Sequence, residues 1–180
     1  LKAVNIPVFA TGGIGGAHRG SETDFDISAD LKQLSAIPVN IVCAGPKAIL
    51  DIPKTLELLE SFGVPVITYQ NGNIPAFWSR DSGLNSPIVA ETVEEIVQSY
   101  VIRVRLGLPE AQLICNPIPI KSEIKKSIIE PLIGQSIKIA KKNNIKGKSL
   151  TPFLLSQILK ETDGKSLLAN KALLFNNIDL

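Results

Sequence analysis

The chain has little of what several classes of protein require. It holds two cysteines, one histidine and one tryptophan in 180 residues, and aromatics make up only 5%. Cys43 and Cys115 both lie inside apolar runs. That is the pattern of buried free thiols in a reducing, cytoplasmic compartment rather than of a disulfide framework. An organellar address stays open if a targeting segment once preceded the chain. No apolar run approaches membrane-spanning length. The start, LKAVNIPVFATGG, lacks the order of charge, apolar run and small-residue site that marks a signal peptide. A net charge of +2 with 20% charged residues argues against disorder and against a nucleic-acid polyelectrolyte site.

What is present is enough apolar material, 44%, for a sizeable core in one domain or a substantial part of one. The first residues read like the middle of a fold, a short lead and then a core strand. An N-terminal portion that was cut, lost or encoded separately is therefore expected. Lys138, Lys141, Lys142, Lys146 and Lys148 form a local cluster, most simply the solvated end of a helix.

Apolar runs predict strands over Ile6–Ala10, Val39–Ala44, Val64–Tyr69 and Ala111–Cys115. Helical patterns lie between and after them. They cover Asp30–Ala36, Lys47–Phe62 with a break at Pro53, a stretch opened by a Thr92/Glu95 capping box, and a long helix from Ser122 kinked at Pro131. Two more follow, one starting at Thr151-Pro152 and one over Lys165–Asn177. The capped helix carries Val93, Ile96, Val97, Tyr100, Val101 and Val104 as its apolar face, and the long one carries Ile124, Ile128, Leu132 and Ile137. Asn71–Pro87 is irregular and holds Phe77 and Trp78, candidates either to stack on a base or to seal a core edge. Strands alternating with helices indicate a mostly parallel sheet covered on both faces.

Three segments carry candidate chemistry. TGGIGGAHRG, Thr11–Gly20, follows the first strand, where glycine-rich backbone can turn N–H groups toward a phosphate. It is neither a dinucleotide fingerprint, because His18 stands at the third glycine, nor a P-loop, because Ser21 stands at the lysine. Its length and the His18-Arg19 pair favour anion binding over a plain turn. DFDISADL brings Asp24, Asp26 and Asp30 near a helix start, either as helix caps or as ligands of a hard divalent cation. VCAGPK places Lys47 after a strand and a Gly-Pro pair. The expected helix start would put its amine at the positive end of a helix dipole, and a lysine biased toward its neutral form is a candidate nucleophile for a carbonyl carbon. Asn170 stands within an apolar helix and is a candidate ligand contact, while Asn176 and Asn177 mark that helix's end. Cys43 is a weak alternative nucleophile.

FATGGIGGAHRG, DISADL, VCAGPKAILDIPKTLELLESFGVPV, CNPIP, TPFLL and LLANKALLFNN together resemble the pseudouridine-5'-phosphate glycosidases of the indigoidine synthase A-like family, in order over nearly the whole chain. The match corresponds to the C-terminal, larger part of such enzymes. The resemblance implies a three-layer α/β/α fold, a homotrimer, a manganese ion, and reversible cleavage of the carbon–carbon glycosidic bond to uracil and ribose 5-phosphate. It implies that Lys47 forms an imine with the opened ribose, that Asp26 is the metal carboxylate, and that Ser28, Ala29, Asp30, Thr11, His18 and Asn170 contact substrate. The family's general-acid glutamate and a phosphate-contacting lysine have no counterpart in this chain, and Lys171 replaces a usual apolar residue. Alternatives are a non-catalytic sugar-phosphate-binding subunit that needs an N-terminal partner, and a different imine-forming lyase on a related scaffold.

Overall fold

The computed structural model describes residues 6–180, apart from the side chain of Lys148. The expected lead before the first strand and the Lys148 member of the basic cluster therefore lie outside the described residues. Five strands, β1 (Val8–Ala10), β2 (Asn40–Cys43), β3 (Val66–Tyr69), β4 (Ile88–Ala90) and β5 (Gln112–Cys115), form one parallel sheet in the order β1-β2-β5-β3-β4. The helices are α1 (Ser21–Asp24), α2 (Ala29–Leu34), α3 (Ile52–Ser61), α4 (Val93–Arg105), α5 (Lys126–Lys142), α6 (Leu150–Glu161) and α7 (Lys165–Asp179). All strands point one way, so their carboxyl ends and the following loops gather at one edge, where ligands bind in open parallel sheets.

Alternation along the strands sorts the core into layers. Ile41, Cys43, Val66, Leu113 and Cys115 face Leu31 and Leu34 of α2 and Leu59 of α3. Val42, Ile67, Ala90 and Ile114 face Ile96 of α4 and Leu180. Beyond the carboxyl edge, α5, α6 and α7 enclose a third cluster with Ala48–Leu50, Phe77, Trp78 and Ile118. The result is the expected three-layer α/β/α arrangement with a helical cap over the loop edge.

Several sequence expectations shift in detail. The fourth parallel strand in sequence, β4, is only three residues long and lies against the helix cap at Thr92, so no periodicity announces it. The capping box is present: Thr92 Oγ1 accepts from the Glu95 amide at 3.3 Å and the Glu95 carboxylate takes the Thr92 amide. The helix behind it is turned differently from the expected stripe. Only Ile96 is buried, and Val97 stays 50% exposed. The sheet surface beneath is partly polar. Ser99 donates to Gln112, Gln112 donates to the Ile96 carbonyl and to Asn40, and the Tyr100 hydroxyl reaches the Pro38 carbonyl. Hydrogen bonds, not the valines, set the rotation of α4. Likewise α5 starts at Lys126, runs through Pro131, and buries Ile129, Ile133, Ser136 and Ala140 rather than Ile128.

Cys43 and Cys115 are fully buried in-register neighbours on β2 and β5. The Cys43 thiol beside it and burial push the Cys115 thiol well above its ordinary 9.0. A thiol that ionises later in the folded than in the unfolded chain contributes stability that is whole below that ordinary value and is lost as pH rises past it. Urea unfolding midpoints are therefore expected to fall on going from pH 8 to pH 10, and Cys115→Ala should flatten that slope.

Candidate active site

The site region is two loops zipped together above the carboxyl ends of β1 and β2. Thr11 and Ala44 leave the sheet with bonds from the Thr11 amide to Val42 and from the Ala44 amide to Gly12. The Ile14 amide donates to Gly45 at 3.3 Å, the Lys47 amide to Ile14 at 3.1 Å, and the Asp51 amide to Ala17 at 2.9 Å. His18 pairs with Leu50 as an isolated antiparallel bridge.

Much of the glycine content serves this close packing. A Cβ on Gly15 would sit 2.3 Å from Ser28 Oγ, and the Gly15 amide donates to Asp30 Oδ2 at 2.8 Å. The Ser28 amide returns to the Gly16 carbonyl, and the Ser28 hydroxyl accepts from Asp30 as the α2 cap. The Ser28–Asp30 segment is thereby locked onto the glycine-rich loop. Arg19 reaches away from the loop: it forms a two-pronged pair with Glu130 of α5 and bonds the Ala48 and Leu50 carbonyls. Arg19 thus ties the loop to α5 while still lining a cavity with His18.

Lys47 is corrected in position. It does not open a helix. Residues 47–50 form a turn closed by the Leu50 amide on the Lys47 carbonyl, and α3 starts five residues later at Ile52. Asp51 caps that helix by accepting from the Lys54 amide, and Pro53 falls in its first turn, where proline costs nothing. The break expected at Pro53 is thus a start, and Lys47 lies five residues ahead of the helix rather than in its first turn. The lysine is half-buried, tied by its backbone to Ile14 at the centre of the zipped loops.

The other candidates divide among three hollows. His18, Asp24 and Asp26 line a cavity of about 110 Å³ together with Arg19, Lys141 and Lys146, so cations and carboxylates share one wall. His18 Nε2 lies 3.4 Å from Thr151 Oγ1, and the Asp26 carbonyl accepts from the His18 amide. Thr11 and Asp30 line a second, more apolar cavity of about 180 Å³ with Gly13 and Gln33. Asn170 lines a third, about 220 Å³, with Trp78, Ser156 and Ser166. Lys47 is in the wall of none of the three. Ala29 is exposed beside Ser28. Among the described residues no group of three or more His, Cys, Asp or Glu side chains could hold a metal. Asp26 with its neighbour Asp24 still matches the one- or two-carboxylate donor set that magnesium and manganese accept when water and phosphate oxygens complete the shell.

Two contacts were not legible in the sequence. Asn177 Nδ2 donates to the Thr11 carbonyl at 2.8 Å, fastening the start of the glycine-rich loop to α7. Trp78 Nε1 donates to Asn170 Oδ1 at 2.6 Å. The only signal was asparagine placed in an apolar helix. Phe77 and Trp78 themselves are buried at the core edge, ring centroids 5.0 Å apart, as the sealing reading expected.

Residues 2–180 match the family described as indigoidine synthase A like protein. Pseudouridine-5'-phosphate glycosidase of Jannaschia sp. (strain CCS1) is 52% identical over 97% of this chain and 58% of its own length. The one from Staphylococcus aureus (strain MW2) is 46% identical over 97% of this chain and 57% of its own. The crystal structure of an indigoidine synthase A-like protein from Thermotoga maritima superposes with a TM-score of 0.90 at 34% identity, over 99% of this chain and 58% of that one. Prealnumycin C-glycosynthase AlnA, solved in complex with ribulose 5-phosphate, gives 0.91 at 28% identity, over 97% and 58%. The chain thus spans a little under three-fifths of the length of the curated relatives it matches. With sequence similarity and fold in agreement along nearly every residue, this chain belongs to the indigoidine synthase A-like family.

Proposed function

We propose that this chain carries the imine-forming and phosphate-binding part of a pseudouridine-5'-phosphate glycosidase. The observation that supports it best is the Lys47 turn held against the glycine-rich loop, in a chain 52% identical to a relative of that name. Lys47 Nζ adds to the aldehyde carbon of the opened ribose, and water leaves as the imine forms. In the synthetic direction the iminium carbon accepts the electron pair of uracil C5, which then loses its proton. In cleavage the Nζ lone pair re-forms the iminium as the bonding pair returns to the uracil ring, which takes up a proton, and water then releases the aldehyde from Lys47. Without the lysine nitrogen no lone pair stabilises the positive charge that develops on that carbon as uracil leaves.

On this reading Ser28, Ala29 and Asp30 contact the ribose, Thr11 and His18 contact the phosphate, and Asn170 contacts the base. Asp26 would hold manganese, which when bound supplies positive charge near the phosphate. A homotrimer and a cytoplasmic setting belong to the same proposal. The carboxylic acid that protonates the base has no assignment in this chain, so the chain's activity is proposed as that of a part of the relatives' whole enzyme.

The test is reductive trapping. Incubation with ribose 5-phosphate and borohydride, followed by peptide mass spectrometry, is expected to place a stable ribityl adduct on Lys47. An adduct on another lysine with Lys47 unmodified would overturn the assignment. A second reading, a sugar-phosphate-binding part with no turnover of its own, is favoured by the 58% coverage of the relatives. It gains if uracil release stays absent even when the remaining part of a relative is supplied in trans.

A further inference from the structure

The orientation of the Asn170 side chain is fixed by chemistry and not by the fit of an amide that can be drawn either way. An indole N–H only donates, so the atom it meets at 2.6 Å must be the carboxamide oxygen of Asn170. Trp78 is 1% exposed and packed in the core of the helical cap, and its N–H is also 3.3 Å from the Ser166 carbonyl. The ring therefore cannot swing away. Among the described residues, no protein acceptor takes the two hydrogens on Asn170 Nδ2. Those hydrogens are left to the cavity of about 220 Å³ that Asn170 and Trp78 share.

That cavity is coupled to the glycine-rich loop. Leu173 stands one turn after Asn170 on α7, and its Cδ1 lies 3.2 Å from where a Cβ on Gly12 would be. The Phe77 ring, edge-on to Trp78, packs against the same glycine and against Gly13, and the Phe77 amide donates to Ala44, three residues before Lys47. One connected set of contacts runs from the loop through Phe77 and Trp78 to Asn170.

The geometry points to Trp78 as a positioning residue that makes Asn170 a reader of acceptor oxygens. Resting on the function proposed above, Asn170 donates to a ring carbonyl of uracil and does not accept from a ring N–H. A base presenting a donor at that position would meet N–H against N–H, which costs affinity because neither group finds a partner.

The experiment has two independent arms. The chain has one tryptophan, so its ¹H–¹⁵N spectrum holds one indole signal. Asn170→Ala is expected to shift that signal upfield and speed its exchange with water. An unchanged indole signal would overturn the pairing itself, whatever the protein binds. Calorimetric titration with uracil and, separately, with ribose 5-phosphate forms the second arm. Trp78→Phe is expected to weaken uracil about tenfold while leaving ribose 5-phosphate within about twofold, a split that general loosening would not produce. Asn170→Asp keeps an oxygen for Trp78 but turns the free end into an acceptor, so it should weaken uracil more than Asn170→Ala does. If Asn170→Asp binds uracil as well as the unaltered chain, the donor assignment falls. If the unaltered chain binds ribose 5-phosphate but not uracil, the base assignment falls with the proposed function, and the indole arm still decides the pairing.

Discussion

Lys47→Arg will leave the chain unlabelled after treatment with ribose 5-phosphate and borohydride. Arginine keeps the positive charge and nearly the length, but a guanidinium that stays protonated cannot add to an aldehyde and expel water. Uracil release, assayed with the remaining part of a relative in trans, is expected to drop about a thousandfold or more, since loss of a covalent nucleophile removes the step itself and not a contact to it. Binding of ribose 5-phosphate should change far less, because the phosphate and hydroxyl contacts proposed above lie on other residues. Mass spectrometry and steady-state rates check the two halves separately. A Lys47→Arg protein that keeps about a tenth of the turnover would show that Lys47 is a binding residue and that the covalent step lies elsewhere. Lys47 stands in the turn between the zipped loops, ahead of the helix that begins at Ile52.

Gly45→Ala will damage the fold more than any other single glycine-to-alanine change in the loop edge. Gly45 has φ +83°, and a Cβ there would lie 2.2 Å from the Pro75 carbonyl oxygen. Both effects act together: the left-handed backbone costs an L-residue about 1–2 kcal/mol, and a backbone oxygen cannot rotate aside as a flexible side chain would. A loss of about 3 kcal/mol or more is expected, read as a fall in the urea midpoint at unchanged slope. Gly20→Ala is the control. Gly20 has φ +105° but nothing within 4 Å of its added Cβ, so it should cost only the backbone strain, about 1–2 kcal/mol. Equal losses at the two sites would mean that the Pro75 contact is soft and that conformation alone matters. Because Gly45 also accepts from the Ile14 amide, Gly45→Ala should slow trapping at Lys47, two residues on, and Gly20→Ala should not.

The sheet was legible wherever apolar runs were long enough to be buried on both faces. β2, β3 and β5 stand within the predicted runs, and the crossovers between them fixed the parallel class. β4 was not legible, since three residues carry no period. The face of α4 was misread because hydrophobic spacing assumes an apolar surface opposite, and here Asn40 and Gln112 on the sheet recruit Ser99 and the Ile96 carbonyl instead. The start of α3 was misread because Gly45-Pro46 looks like a helix entrance. Asp51 followed by Pro53 is the true one, and the intervening residues are drawn into the zipped loops by Ile14 and Ala17, far away in sequence.

Local sequence by itself determined the αβ alternation, the glycine-rich loop, the capped helices, the buried thiols and the ordered motifs that tie the chain to its family. These follow from side-chain periodicity and from residues whose conformational demands are met within a few positions. Only the tertiary structure decided that Arg19 serves Glu130, that Gly15 is small because Ser28 and Asp30 lie against it, and that Trp78 turns the Asn170 amide. Each of these joins groups 13 to 111 residues apart. No local pattern encodes such a pairing, because its partners are chosen by where the packed layers bring them.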